Sequence, residues 1–112
     1  MRHFLFTGLL SVSVALSALF PVNALSAGDP VEGEIKGYTC TGCHGIPGYK
    51  NVYPTYSVPK IGGQNAEYIE IALKAYRSGE RQHSPMSLHA EGLTDQDIAD
   101  IAAWLATVGE EE

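Results

Sequence analysis

Cysteine is scarce in this 112-residue chain, in which only Cys40 and Cys43 occur. A disulfide between residues so close would restrict the unfolded chain very little, so disulfides cannot hold this fold together. Repeats, low-complexity tracts and alternating strand patterns are also absent. Amphipathic helical patterns are present, and they predict a single all-α domain. Because so small a domain buries little surface, we expect a large apolar group attached to the chain to complete its core.

Basic residues are few. The chain has 7 lysines and arginines against 13 aspartates and glutamates, a formal net charge of −6. Nucleic acid and anionic lipid surfaces repel such a protein, so neither is expected as a partner. A protein partner with a basic docking patch is expected instead.

A long apolar run occurs only near the N-terminus, over residues 4–20. A weakly basic start precedes it and small residues follow it, which is the layout of a secretory signal peptide. We expect cleavage after Ala24 or Ala27. Residues 1–27 would then be the leader, and residues 28–112 one exported, periplasmic domain. The alternative is an uncleaved membrane anchor, although the run is short for a transmembrane helix.

The first of three expected helices begins at Asp29, which is followed by proline and can cap a helix N-terminus. Its apolar residues form a narrow stripe of Val31, Ile35 and Tyr38. Residues 45–63 have no helical period and contain several prolines, glycines and tyrosines. We expect this stretch to be a packed loop, because long loops in compact domains are usually functional when they are ordered.

The other two expected helices have apolar residues at a period of about 3.6. The second runs from about Asn65 to Ser78, and Gly79 ends it. The third begins at Thr94 in a capping-box pattern with Asp97. The apolar faces consist of Ile69, Ala72, Leu73 and Tyr76 in the second helix and of Ile98, Ile101, Ala102, Leu105 and Val108 in the third. Each segment therefore predicts one amphipathic helix.

The string Cys40-Thr41-Gly42-Cys43-His44 follows the first helix. A C-x-x-C-H string is the attachment signal of a c-type haem. Its two thiols can form thioethers with the two vinyl groups of a porphyrin, and the histidine that follows can bind the iron. We therefore expect one covalent haem c with its iron, attached at Cys40 and Cys43 and ligated by His44.

Three other interpretations of the string are open. A thioredoxin-like redox pair also has two cysteines at this spacing, but it needs a βαβ context that the sequence lacks. A structural zinc site would need further ligands, for which His83 and His89 are the candidates. Chance occurrence is the third.

Met86 is expected to be the second axial ligand of the iron, because it is the one methionine left after the leader is removed. It lies in a proline-containing segment between the second and third helices, which we expect to be a loop. Thioether sulfur is a soft ligand that suits haem iron and raises its reduction potential. His83 and His89 flank Met86 and are alternative ligands, and an open coordination site is the last alternative.

From residue 28 onward the chain resembles a class I cytochrome c, most closely the small bacterial monohaem kind and single halves of bacterial dihaem cytochromes. The haem string, Met86 and residues 59–64, 68–69, 73–81 and 92–104 carry the resemblance. It implies three main helices and loops wrapped around one haem.

The resemblance also implies roles for residues outside the haem string. A proline carbonyl should accept a hydrogen bond from His44, and Pro59 matches that position best, with Pro54 second. Gly33 and Trp104 match the pair at which the first and last helices of the family cross. The chain departs from its relatives in a longer loop over residues 45–58. It also has His83 where many relatives have asparagine.

The expected function is one-electron transfer between redox proteins outside the cytoplasmic membrane, without conversion of a substrate, so the chain is not expected to be an enzyme. One alternative is a cytochrome subunit held in a periplasmic oxidoreductase complex. Such a subunit would be expected to have a sizeable exposed apolar patch, for which Tyr49, Tyr53 and Tyr56 are the candidates. The other alternative is a haem enzyme or gas sensor from which Met86 dissociates readily.

Overall fold

The computed structural model describes residues 27–51 and 55–109. Residues 1–26 of the expected leader, together with Tyr53 and Pro54, lie outside these ranges. Within them the chain forms helices and no strand, so the all-α prediction is confirmed, and no helix is long and apolar enough to cross a membrane. In chain order the elements are α1 (Pro30–Gly37), a 3-10 helix (Tyr38–Cys40), α2 (Thr41–His44), α3 (Ala66–Ser78), α4 (Ser84–Glu91) and α5 (Asp95–Thr107).

Helix α1 begins where the sequence predicts, because the Asp29 side chain accepts a hydrogen bond from the backbone amide of Val31 at 2.9 Å. The narrow apolar stripe that the sequence shows on this helix does not face the core. Val31, Ile35 and Tyr38 are 66, 64 and 67% exposed. The residues of α1 that are buried are Gly33 and Gly37.

These glycines are buried because α1 crosses α5 at very short range. A Cβ atom built on Gly33 would lie 1.9 Å from the Asp100 carbonyl oxygen and 2.8 Å from Trp104 Cβ. A Cβ atom on Gly37 would lie 2.8 Å from the Trp104 ring. Two helix backbones approach so closely only where a side chain is missing. The expected pairing of Gly33 with Trp104 is confirmed, and the larger apolar residues of α1 are left on its outer face.

A charged cluster also fastens α1 to α5. Lys36 Nζ lies 2.6 Å from Asp100 Oδ2 and 3.0 Å from Asp97 Oδ1. Asp100 is only 2% exposed, and its Oδ1 accepts hydrogen bonds from the Asp29 amide and the Gln96 side chain, each at 2.8 Å. The bond from Lys36, followed by those from Asp29 and Gln96, lowers the pKa of Asp100 to about 2. This carboxylate stays charged in a buried position because it is fully hydrogen-bonded.

Helices α3 and α5 form the core, with the boundaries that their caps predict. The Asn65 side chain accepts from the Tyr68 amide at 3.0 Å, and Gly79 ends α3 with φ +83°. Thr94 and Asp97 form the capping box of α5. The buried core cluster consists of Ile69, Leu73, Ile98, Ile101, Ala102 and Leu105. These six residues of the predicted apolar faces are confirmed as core, whereas Ala72 and Tyr76 are half-buried and Val108 lies just beyond the end of α5.

Helix α4 was not predicted. His83 has extended backbone angles just before it, and Pro85 lies in its first turn. Proline suits that position because the first helical amides need no partner within the helix. The expectation that Met86 lies in a loop is therefore wrong, since it is in the first turn of α4. The sequence pattern did not reveal this helix because Ala90 is its only buried residue.

The expected loop over residues 45–63 is tied down by backbone hydrogen bonds. The Val58 amide donates to the Tyr49 carbonyl at 2.9 Å, beside an isolated antiparallel bridge. The Gly63 amide donates to the Leu105 carbonyl at 2.8 Å. The end of the loop is thus anchored to the end of α5.

Candidate functional site

A cavity of about 630 Å³ lies between the cysteine-bearing turns, the loop and helices α3, α4 and α5. Proteins hold cofactors and other small molecules in pockets of about 300–1,000 Å³. Its apolar wall includes Ile61, Ile69, Ala72, Leu73, Leu93, Ile101 and Leu105. The five site residues expected from the sequence, Cys40, Cys43, His44, Pro59 and Met86, all line this one cavity.

The two cysteines are placed by consecutive helical turns. The 3-10 helix ends at Cys40 and α2 continues from it, so Cys43 follows one turn later. Residues three apart in such turns lie on the same side. Both thiols are free of disulfides, with Cys40 half-buried and Cys43 exposed. Burial raises the pKa of the Cys40 thiol.

The imidazole of His44 is oriented by the loop. Its Nδ1 lies 2.7 Å from the carbonyl oxygen of Pro59. A carbonyl oxygen can only accept, so Nδ1 carries the proton and donates it. The lone pair of the neutral ring is then on Nε2, which is the tautomer that a metal-binding histidine needs.

Met86 is half-buried and packs against the core cluster from α4. The start of this helix is fixed by a backbone hydrogen bond from Ser87 to His83, at 2.9 Å. A short helix with Pro85 in its first turn therefore holds the thioether at the cavity wall. Its sulfur is a soft donor of the kind that haem iron accepts.

The two alternative ligands also line the cavity. The ring centroid of His83 lies 4.6 Å from that of Tyr56 in an edge-on arrangement. The Tyr56 hydroxyl in turn accepts a hydrogen bond from the Asn51 side chain. His89 is exposed in the last turn of α4. Across residues 27–51 and 55–109, no group of three or more His, Cys, Asp or Glu residues is arranged to hold a metal ion.

The sequence did not reveal one further group on the cavity wall, Tyr68, Tyr76 and Arg81. Arg81 Cζ lies 4.8 Å from the ring centroid of Tyr76. Its Nη1 donates to the Tyr68 hydroxyl at the long distance of 3.5 Å, and this bond raises the pKa of the guanidinium. The turn after Gly79 brings these residues together. The only local signal was that Arg81 has no acidic residue three or four positions away.

The donors, the size and the apolar lining of this cavity fit a haem. The apolar side chains of α3 and α5 suit a flat macrocycle, and the two thiols suit its vinyl groups. His44 and Met86 supply a nitrogen and a sulfur to the same space. Helices arranged around such a cavity define the class of protein, a c-type cytochrome.

Comparison with known proteins gives the family. The family described as cytochrome c matches residues 35–109, and the chain belongs to it. The chain is 45% identical to cytochrome c-554(548) of Halomonas halodenitrificans, over 72% of this chain and 98% of that protein. It is 35% identical to cytochrome c4 of Pseudomonas aeruginosa, over 88% of this chain and 47% of that protein.

A third relative is named for a complex. The chain is 37% identical to the cytochrome subunit of sulfide dehydrogenase from Chlorobaculum tepidum, over 68% of this chain and 66% of that protein. The chain thus spans nearly all of cytochrome c-554(548) but only about half of cytochrome c4.

Family membership settles the cofactor and the general activity. The chain is an electron-transfer protein whose cofactor is covalent haem c with its iron. Cys40, Cys43 and His44 fit the attachment string of that cofactor.

Proposed function

We propose that the chain is an exported monohaem carrier of single electrons, with His44 and Met86 as the two axial ligands of the iron. The observation that carries the proposal is that one cavity collects both cysteines, His44 and Met86. When bound, the haem supplies an iron that alternates between the ferrous and ferric states. His44 and Met86 would together hold the iron and leave it no site for a substrate, which is the arrangement expected of a carrier and not of an enzyme.

The protein residues tune this site in two ways. The Pro59 carbonyl holds the His44 ring by its Nδ1 and leaves Nε2 for the metal. Met86 would supply a neutral, soft sulfur, and the apolar side chains of α3 and α5 that line the cavity would limit the access of water to the bound haem. A neutral ligand in a dry site stabilises the ferrous state, so we expect a relatively high reduction potential.

Export and partners follow from the sequence. The apolar N-terminal segment supports a cleaved leader over residues 1–27 and a periplasmic location, where a covalent haem is attached to free thiols. The net charge of −6 supports docking to redox proteins with basic patches, and it disfavours nucleic acid.

Met86→Ala tests the axial ligand. The oxidised wild type should have the weak near-infrared band of sulfur-to-iron charge transfer, and its reduced form should not bind carbon monoxide. The variant should lose the band, bind carbon monoxide when reduced, and have a lower reduction potential, because a water ligand or an open site stabilises ferrous iron less than a thioether does.

His83→Ala and His89→Ala are the matched controls, because both histidines line the same cavity. Each variant should keep the near-infrared band and remain inert to carbon monoxide. If the band is absent from the wild type, and one of the two histidine variants gains carbon monoxide binding, that histidine is the ligand. A wild type that itself binds carbon monoxide would instead favour a gas sensor or haem enzyme.

A second candidate is a subunit of a periplasmic oxidoreductase complex. It is favoured by an exposed apolar surface formed by Val31 and Ile35 of α1 and by Tyr38 of the 3-10 helix, which are all more than 60% exposed. The patch expected around Tyr49 and Tyr56 is less suited, since both are half-buried. Gel filtration of a native extract distinguishes the candidates, because a free carrier elutes as a small monomer and a subunit elutes with its complex.

A further inference from the structure

In the part of the chain that the structure describes, Arg81 is a cation that takes part in no ion pair, although the protein has a net negative charge. Within the described ranges, the ion pairs are formed by Lys36, Lys74 and Arg77. Arg81 belongs to none of them, although it lines the haem cavity. Two lysines also line the cavity. Lys36 is bound by two aspartates, whereas Lys60, like Arg81, belongs to none of these ion pairs.

The surroundings of Arg81 orient it and leave donors available. The Tyr76 ring lies 4.8 Å from Cζ, a distance at which a guanidinium is attracted to an aromatic face. One N–H bonds the Tyr68 oxygen, and a guanidinium has five N–H donors in a planar fork. The Tyr68 hydroxyl is a donor as well, on a residue that is 50% exposed. Hydrogen-bond donors thus converge on the rim of an apolar cavity, and the group that complements them is a carboxylate.

A haem supplies carboxylates as its two propionates, which are its only anionic side groups. Lys60 is a point charge without the fork or the neighbouring phenol of Arg81. We propose that Arg81 and Tyr68 bind one haem propionate and hold it ionised, while Tyr76 orients the guanidinium. The inference rests on the haem of the proposed carrier occupying this cavity, but not on the identity of its second axial ligand.

Two measurable consequences follow. A neighbouring guanidinium typically lowers the pKa of a carboxyl group by about 1–3 units, so loss of Arg81 should raise the pKa of one propionate by that amount. The positive charge of Arg81 also favours the ferrous over the more positive ferric iron. Its removal should therefore lower the reduction potential at a pH where the propionate remains ionised.

The test is an NMR titration of the reduced holoprotein with the propionate carboxyl carbons labelled with ¹³C. In the wild type, one propionate should titrate below the ordinary carboxyl range of about 4. In Arg81→Gln its midpoint should rise by about 1–3 units, and the other propionate should move little. Arg81→Lys should give a smaller rise, because it keeps the charge and loses the fork. Tyr68→Phe should also raise the midpoint, because it removes one donor.

Lys50→Gln is the matched control, since it removes one exposed positive charge that does not line the cavity, and it should leave both midpoints unchanged. The other titratable groups around the cavity that can perturb the signals are Lys36, Tyr56, Lys60, His83 and His89. A step in the titration that disappears in His83→Gln or His89→Gln belongs to that histidine and is excluded from the comparison.

Identical propionate midpoints in the wild type and in Arg81→Gln would overturn the inference. That failure is separate from failure of the proposed function. A missing near-infrared band would remove Met86 as the ligand and leave the propionate titration unaffected. An altered titration in Arg81→Gln with the band intact would support both.

Discussion

Helix α1 packs against the backbone of α5 at very short range at Gly33, and Gly33→Ala should destabilise the fold. The added Cβ atom would lie 1.9 Å from the Asp100 carbonyl oxygen, 2.5 Å from its carbonyl carbon and 2.8 Å from Trp104 Cβ. Two of these atoms belong to the backbone of α5, so no side-chain rotation can relieve the clash. Helices α1 and α5 must separate, which would also stretch the bonds between Lys36 and Asp100.

The size of the effect follows from two opposing contributions. Overpacking costs about 1–3 kcal/mol, and a clash with rigid backbone belongs at the upper end. Alanine is favoured over glycine within a helix by about 1 kcal/mol. The net loss is about 2 kcal/mol. Since 1 kcal/mol changes the melting temperature of a domain this small by about 4–8 °C, we expect a decrease of roughly 8–16 °C.

Thermal unfolding of the holoprotein, followed by circular dichroism in the helical region, measures this change. Gly92→Ala is the matched control. A Cβ atom at Gly92 would meet nothing within 4 Å, and its φ of −88° is open to alanine. The control should melt within a few degrees of the wild type. If Gly33→Ala and Gly92→Ala had the same melting temperature, the close packing of α1 against α5 would not be what stabilises this pair of helices.

Two further predictions concern acid and the cofactor. Because the pKa of Asp100 is about 2 in the folded protein and 3.8 ordinarily, the unfolded chain takes up this proton first as the pH falls. The contribution of Asp100 to stability is therefore complete above the ordinary pKa and is lost as the pH falls through about 2. In urea unfolding between about pH 5 and pH 2, the wild type should lose its advantage over Asp100→Asn, and a constant difference would contradict the assignment. Cys40→Ala combined with Cys43→Ala should abolish the haem-stained band in denaturing electrophoresis and leave a largely unfolded chain. A cooperative, native-like melt of that chain would show that the fold does not need its haem.

The helices that the sequence predicts well are those whose signals are local. Helices α3 and α5 are specified by their capping residues, Asn65 and Thr94, and by the period of their apolar residues. Both signals lie within a few positions of the backbone that they specify. Helix α1 shows the limit of such patterns. Periodicity assigns large apolar residues to the core, yet α1 buries Gly33 and Gly37, because what α5 requires there is the absence of a side chain.

The site residues, too, could be predicted where their signals are local and could not be predicted where they depend on the fold. Cys40, Cys43 and His44 lie within five consecutive positions, so their chemistry could be predicted from the sequence without knowledge of the fold. Met86 could be singled out as a cavity residue because it is the only methionine after the expected leader, although its helix was not predicted. The grouping of Arg81 with Tyr68 depends on the turn at the end of α3 and on a bond between residues 13 positions apart. No local pattern encodes such a contact.

Several side chains belong to both the core and the cavity wall. Their double role determines which substitutions can change the reduction potential without changing the stability of the fold. Ile69, Leu73, Ile101 and Leu105 belong to the buried core cluster and also line the cavity. A change in any of them alters the surroundings of the haem and the stability of the fold together, because a buried truncation costs about 2–5 kcal/mol. Arg81 and Tyr68 are exposed at the rim and carry charge and hydrogen bonds, not core packing. Substitutions at the rim can therefore shift the reduction potential with little loss of stability, whereas substitutions in the wall cannot separate the two.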